Sequence, residues 1–345
     1  MANQPKIDIR TSPYIRKAPT VAEIMRNVVY ALLPLAAYAT YQFGISALAL
    51  MLVTVFACMG TEHLFCKLSG KKTTITDASA IITGLLLAMT LPPGFPLWMG
   101  AVAGFTAIAL GKTLFGGLGF NVFNPALVGR AFVQAAFPVS ITTWTPALAT
   151  NRFVEFIPSS LALPFMKPEA TAQWTTQVSI DGFSGATPLA LMKFQGIMTD
   201  SYDLFMGFTA GSTGETSSLL IIVCGMYLVF KNMLDWRIPV AVILGTIISA
   251  ECFYLLDSAK YPSPDFMVFS GGLMFAAVFM ASDMVASPVT PLGIFVFGLL
   301  VGFLTVIIRL FGGLTEAVMY AILFANAATP LIESYTQPHI YGENK

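Results

Sequence analysis

Long apolar runs alternate with short polar connections along almost the whole chain, and no other feature restricts the fold as much. A run of about 20 apolar residues crosses a bilayer as a helix, because a helix satisfies its backbone N–H and C=O groups internally. The hydrophobic share is 56% and the charged share only 10%. Soluble domains carry roughly 25% charged residues. The pattern predicts an all-α integral membrane protein with about ten transmembrane helices, over 25–43, 45–66, 78–92, 95–112, 120–137, 217–231, 237–256, 266–282, 291–309 and 314–332. Several of these runs are too short for a perpendicular crossing. Short or Gly/Pro-interrupted runs read as broken or re-entrant helices, which survive where they line a cavity or pack within protein. The third ends in Leu91-Pro92-Pro93-Gly94-Phe95-Pro96. The fifth contains Asn124-Pro125, expected to break its hydrogen-bond ladder.

The distribution of Lys and Arg predicts the topology. With the N-terminus in the cytoplasm, the inner side holds Lys6, Arg10, Arg16, Lys17, Arg26, Lys67, Lys71, Lys72, Lys112, Lys231, Arg237 and Lys345. The outer side holds only Arg152, Lys167, Lys193, Lys260 and Arg309, with Arg130 inside a run. Both termini are then cytoplasmic. The chain divides into a first membrane unit with a cytoplasmic N-terminal arm (1–137), a periplasmic loop (138–216) and a second membrane unit (217–345). A loop that long without secondary structure is unusual and is generally functional. The polar, basic start of the chain does not read as a cleavable signal peptide. A net charge of zero gives no reason to expect a nucleic-acid partner. Cys58, Cys66, Cys224 and Cys252 all fall in or beside apolar runs without a C-x-x-C pair and read as small buried hydrophobes.

The chain also repeats itself. Phe115-Gly116-Gly117-Leu118 recurs as Phe311-Gly312-Gly313-Leu314, an offset of 196 residues. Further upstream the offset is 188 to 189, where Asp77 matches Asp265, Gly84 matches Gly272 and Glu62 matches Glu251. Two units of five spans must lie in opposite orientations. This predicts two inverted five-helix repeats with sites at their interface.

Glu62, Glu251 and Arg130 fall inside apolar runs. A carboxylate at the bilayer centre costs roughly 2.5–3.5 kcal/mol on insertion scales, so Glu62 and Glu251 are candidates for an ion path. They either bind Na⁺ or relay protons, or they lie near helix ends and reach the interface. Arg130, in Gly129-Arg130-Ala131, needs an anion. A cofactor phosphate, an acid of this chain or a partner protein would supply it.

The polar loop contains Asp181-Gly182-Phe183-Ser184-Gly185-Ala186-Thr187-Pro188. Read alone, its glycines and proline mark turns. Its chemistry also suits modification of a hydroxyl. Gly185 and Ala186 remove bulk beside Thr187, and Ser184 with the backbone N–H groups of the turn can donate to phosphate oxygens. Asp181 is either a recognition determinant or an Asx-turn residue. This stretch resembles the flavinylation motif of the RnfD/NqrB family of ion-pumping respiratory complexes. Asn121-Val122-Phe123-Asn124-Pro125-Ala126-Leu127-Val128-Gly129-Arg130-Ala131 is also similar to that family, so the resemblance covers nearly the whole chain. The modest N-terminal arm favours the RnfD branch.

The resemblance implies FMN joined to Thr187 by a phosphodiester bond, with Asp181, Ser184, Gly185, Ala186 and Arg130 as candidate cofactor contacts. It implies a flavin transferase for maturation, and the other subunits of an Rnf complex as partners. It also implies a ferredoxin:NAD⁺ oxidoreductase that moves Na⁺ or H⁺, and a urea-transporter-like fold. Relatives of the NqrB type also hold riboflavin without a covalent bond.

The sequence contains no strand-linked G-x-G-x-x-G, no G-x-x-x-x-G-K-[ST], no H-E-x-x-H and no iron–sulfur cysteine set. Electron entry and exit therefore need partner subunits. A flavin outside the membrane is separated from cytoplasmic donors by about 30 Å of hydrocarbon, so at least one more carrier has to sit between them. The rival expectation is a passive channel or secondary transporter for a small polar solute, which the spans and the repeat fit equally well.

Overall fold

A computed structural model describes residues 20–71, 73–164, 166, 187–207, 209–215, 217–258, 260–313 and 315–338. Among the described residues every regular element is helical. Helix α1 (Val21–Phe43) starts at Thr20, whose hydroxyl accepts the Glu23 N–H as an N-cap. Helix α2 (Ile45–Leu68) follows after Gly44 alone. Gly44 has φ 74°, and a Cβ there would overlap the Arg152 carbonyl oxygen, so only glycine permits this corner.

Short helices then fill the interior. A 3-10 turn (Ile75–Asp77) leads through Ala78, at φ 64°, into α3 (Ser79–Thr90). Helix α4 (Leu97–Ile108) runs into a π-helical turn, Ala109–Thr113. Helix α5 (Pro125–Ala136) and α6 (Pro138–Ile141) follow. The second half contains α9 (Ser218–Phe230), α10 (Arg237–Leu256) and α11 (Pro264–Phe269). After a break at Ser270–Gly272 come α12 (Leu273–Phe275) and a second π-helical turn, Ala276–Met280. Helices α13 (Pro291–Phe311) and α14 (Val318–Thr336) complete it.

Each of the ten expected runs contains a helix, but among the described residues only α1, α2, α10 and α13 are long and apolar enough to cross a membrane on their own. The expected eighth span is broken in two at Gly271, which has φ 60°. Asn124-Pro125 does not interrupt a helix, as expected from sequence, but begins one. Asn124 is the N-cap of α5, its side chain accepting from the Ala126 N–H, and Pro125 takes the first turn, where its missing N–H costs nothing. Cys58 and Cys224 are buried as expected, whereas Cys252 is exposed on α10 and Cys66 is half-buried.

The tightest helix contacts rest on small residues four apart. Gly298 and Gly302 of α13 face Ala241 and Gly245 of α10; a Cβ on Gly302 would lie 2.5 Å from the Thr246 nitrogen and the Val242 oxygen. Gly100 and Gly104 of α4 meet α2 in the same way, at Leu50, Thr54 and Ala57. Lipid is as apolar as these side chains, so close backbone approach and dispersion hold such pairs together.

The 138–216 connection is not structureless. It contains a 3-10 turn (Pro158–Leu161), α7 (Pro188–Gln195) and α8 (Ser201–Met206). It returns repeatedly to the helix ends. Leu148 N–H donates to Gln42 O, Ile157 N–H to Ser46 Oγ, and Thr213 and Gly214 N–H to Leu91 and Met89 carbonyls.

Replacing Gly302 with Leu should force α10 and α13 apart and destabilise the fold by at least about 1–3 kcal/mol. Gly60, around which a Cβ meets nothing within 4 Å, should accept Ala without loss. Thermal unfolding of the purified protein measures both.

Candidate functional site

Thr187 is the N-cap of α7. Its Oγ1 accepts the Ala190 N–H at 3.2 Å, and Pro188 occupies the first helical position. The residue is only 2% exposed, so the hydroxyl is not the open one that the motif leads one to expect. Helix α7 docks through Leu189, which lies against Gly271 at the break before α12. At its other end Lys193 Nζ donates to the Arg309 carbonyl oxygen at 3.0 Å and to Gly312 O. The helix that starts at Thr187 is thereby pinned to the end of α13. Asp181, Ser184, Gly185 and Ala186 lie outside the described residues.

Beneath that helix lies a buried charged group drawn from four elements. Arg130 of α5 donates from Nη1 to the carbonyl oxygen of Thr90, at the C-terminus of α3, and lies 3.6 Å from Glu215 Oε1. The anion that Arg130 requires is thus an acid of this chain. Glu215 is set in place by Thr213 and Gly214, which cap the last carbonyls of α3. Arg309 of α13 donates to Met267 O at 2.6 Å and to Ser270 O at 3.0 Å, the carbonyls freed where α11 ends. Glu316, just before α14, reaches the same break. Burial, and then repulsion from Glu316, hold the Glu215 carboxyl above the usual carboxylate range against the pull of Arg130.

A second buried pair sits at the start of α3. Lys112, in the first π-helical turn, lies 2.7 Å from Glu62 Oε1 and donates to Ser79 Oγ at 2.6 Å. Thr74 also donates to Glu62, and Ser79 Oγ donates to Asp77 at 2.6 Å. Glu62 is 1% exposed, so its carboxylate is enclosed by protein. Glu251, expected as its counterpart, is exposed on α10. The structure does not bring the two acids together, and their environments are unlike. The spacing that relates them places one toward the interior of the bundle and the other on its outside.

Lys112 also borders a cavity of about 420 Å³ between the two halves. Its polar edge is Ser79, Lys112, Asn121, Asn124, Ser282 and Asp283, and its walls are apolar residues of α1, α3, α9 and the second π turn. Asn121 donates to Asp283 at 3.1 Å, and Asn124 donates to the Met280 carbonyl at 3.1 Å. A mostly apolar enclosure with a few convergent polar groups is the usual build of a cofactor pocket.

Sequence reasoning passed over Lys112, Glu215, Arg309 and Glu316. A signal for two of them existed. Lys112 precedes Phe115-Gly116-Gly117 by three residues and Arg309 precedes Phe311-Gly312-Gly313 by two. The π turn absorbs the extra residue; Lys112 meets the start of α3 and Arg309 the break after α11.

Lys112→Met should strand the Glu62 carboxylate and cost about 3–5 kcal/mol. Combining it with Glu62→Gln should restore most of that loss. Thermal unfolding of the two single variants and the double variant closes the cycle; equal losses in Lys112→Met and the double variant would mean that the pair is not coupled.

The profile of the NQR2, RnfD, RnfE family matches residues 8–342. Similar full-length proteins carry consistent names. A protein of Acetobacterium woodii, 40% identical over 99% of this chain and 98% of its own length, is named as a component of a Na(+)-translocating ferredoxin:NAD(+) oxidoreductase complex. One of Clostridium ljungdahlii, 38% identical over 98% of this chain and 96% of its own length, is named as the same component of a proton-translocating ferredoxin:NAD(+) oxidoreductase complex. One of Actinobacillus succinogenes, 36% identical over 97% of each chain, is named as that component of an ion-translocating oxidoreductase complex. With a match that runs from the N-terminal arm through the buried charges of both halves, this chain belongs to the NQR2, RnfD, RnfE family.

Proposed function

We propose that this chain is the membrane flavoprotein component of an ion-translocating ferredoxin:NAD⁺ oxidoreductase, with FMN esterified to Thr187. The observation that carries the flavin assignment is the position of Thr187 at the N-cap of α7. A phosphoryl group on that oxygen lies at the positive end of the helix, beside first-turn N–H groups left without intrahelical partners. Pro188 supplies no N–H, so the Leu189 N–H is the available donor, beside the Ala190 N–H that already meets Thr187 Oγ1. FMN, when bound, supplies one- and two-electron transfer. The residues of this chain hold it in place: Leu189 and Lys193 fasten α7 to the break at Gly271 and to the end of α13. Because Thr187 is buried, the flavin transferase has to reach it before α7 docks or while α7 is displaced.

The cavity beside Lys112 fits a second flavin of the riboflavin type. Its apolar walls suit an aromatic ring system, and Asn121, Asn124, Ser79 and Lys112 offer polar contacts at one edge. Two inverted repeats of five helices account for the paired features. Helices α2 and α10 each receive a Gly-x-x-x-Gly helix, α4 and α13 respectively. In this reading the complex spans a bacterial inner membrane, Thr187 faces the periplasm, and other Rnf subunits bring electrons in and out. The transported ion is Na⁺ or H⁺, since relatives of almost equal similarity are named for one or the other. Glu62, buried and paired with Lys112, is the candidate on the ion path. Full-length likeness to components of oxidoreductase complexes favours this function over a passive solute channel.

The test is a denaturing gel of the complex from cells that contain the transferase, viewed under ultraviolet light. The band of this chain should fluoresce after unfolding, and Thr187→Val should abolish the signal. The peptide from Asp181 to Lys193 should gain the mass of an FMN ester. An unmodified peptide from the native complex would falsify the assignment.

A further inference from the structure

The buried charges near Thr187 do not balance in pairs. Arg130 is the one base of this group, among the described residues, with a carboxylate inside ion-pair distance, Glu215 at 3.6 Å, and it is shared with the Thr90 carbonyl. Both of the amino groups of the Arg309 guanidinium, Nη1 and Nη2, are committed to the Met267 and Ser270 carbonyls. Glu316 is 6% exposed and has no ion-pair partner among the described residues. Its Oε2 is buried without a hydrogen bond among those residues, as are Arg130 Nε, Arg309 Nε and Ser270 Oγ. Unpartnered polar atoms from four elements therefore converge on one dry spot.

The two carboxylates also converge on each other. A Cβ on Gly272 would overlap Glu215 Oε1, and one on the adjoining Gly271 would lie 3.1 and 3.2 Å from the Glu316 oxygens. Both acids press against the same pair of glycines at the start of α12. Two ionised carboxylates this close repel each other, and pairs of this kind relieve the repulsion by holding one proton between them.

We propose that Glu215 and Glu316 form a proton-binding site, sharing one exchangeable proton, on the side of the protein where Thr187 is anchored. The groups facing the pair are Arg130 from α5, Arg309 from α13 and Tyr320 from α14, which lies within electrostatic reach of Arg130. Lys193 of α7 meets the Arg309 carbonyl. With one proton on board the cluster carries one net positive charge; releasing it makes the cluster neutral. The raised Glu215 carboxyl agrees with this. Arg130 and Arg309 keep the shared proton releasable, because each stabilises the ionised form. Leu189 touches Gly271, so the change of charge occurs directly beneath the helix that Thr187 caps. This site rests on the two acids alone and stands whether or not Thr187 carries a flavin.

Infrared difference spectroscopy of the intact complex, titrated from mildly acidic to mildly alkaline pH in H₂O and D₂O, tests it. The wild type should show the carbonyl stretch of one protonated carboxylic acid at neutral pH, shifted in D₂O and lost on the alkaline side. Glu215→Gln and Glu316→Gln should each abolish it, because the remaining acid then ionises without a like charge opposite. No such band, a band untouched by both substitutions, or one abolished by a single substitution only would overturn the shared site. Should a Gln variant not assemble, Glu215→Asp and Glu316→Asp must each shift the band's frequency or its titration midpoint, and an unmoved band also overturns the site. Thr187→Val, which tests the flavin, should leave the band in place, so the two readings fail separately.

Discussion

Wherever a helix stops inside hydrocarbon, backbone groups lose their partners and no water replaces them. The described fold is organised around answering that demand. Helix α3 ends at Thr90 and the second π turn at Met280, both in the interior. One helix, α5, serves both ends: Asn124 donates to Met280 O and Arg130 donates to Thr90 O. Ser212–Glu215 adds Thr213 and Gly214 to the α3 end. On the other side of the break, Arg309 takes the carbonyls that α11 releases.

The charges follow from the breaks. A guanidinium reaches two carbonyls at once and stays ionised, which suits it to a broken helix better than an amide. Buried guanidinium needs negative charge nearby, and Glu215 and Glu316 provide it. Lys112 and Glu62 form a similar arrangement where α3 begins, with Ser79 and Asp77 completing the network. The polar cavity and the buried charges thus border interrupted helices, and the long continuous helices α2 and α13 supply Glu62 and Arg309 to those networks.

The flavin reading depends on the same breaks. Thr187 is at once a helix cap and a buried residue. Its helix is seated on the break at Gly271 and on the end of α13. A cofactor anchored there would sit against the most highly charged part of the interior.

Much of the helical layout was legible in the sequence. Apolar runs, loop charges and the Phe-Gly-Gly-Leu repeat place the helices because hydrocarbon leaves a chain few options, and ten runs each contain one. Asn124-Pro125 showed that something happens at that point, but a cap-and-proline start and a break look alike until the neighbouring carbonyl at Met280 is in view. The pairing of Glu62 with Glu251 was a matter of spacing alone, and spacing does not say which way a helix face turns. Arg130 announced a need for an anion without naming it. By itself the sequence determined that the chain is a helical membrane protein of this family, because composition and local pattern are properties of the chain. Only the tertiary structure decided that Arg130 meets Glu215, that Glu62 meets Lys112 and that Glu251 faces outward, because those outcomes depend on helix rotation and on contacts between residues far apart in sequence.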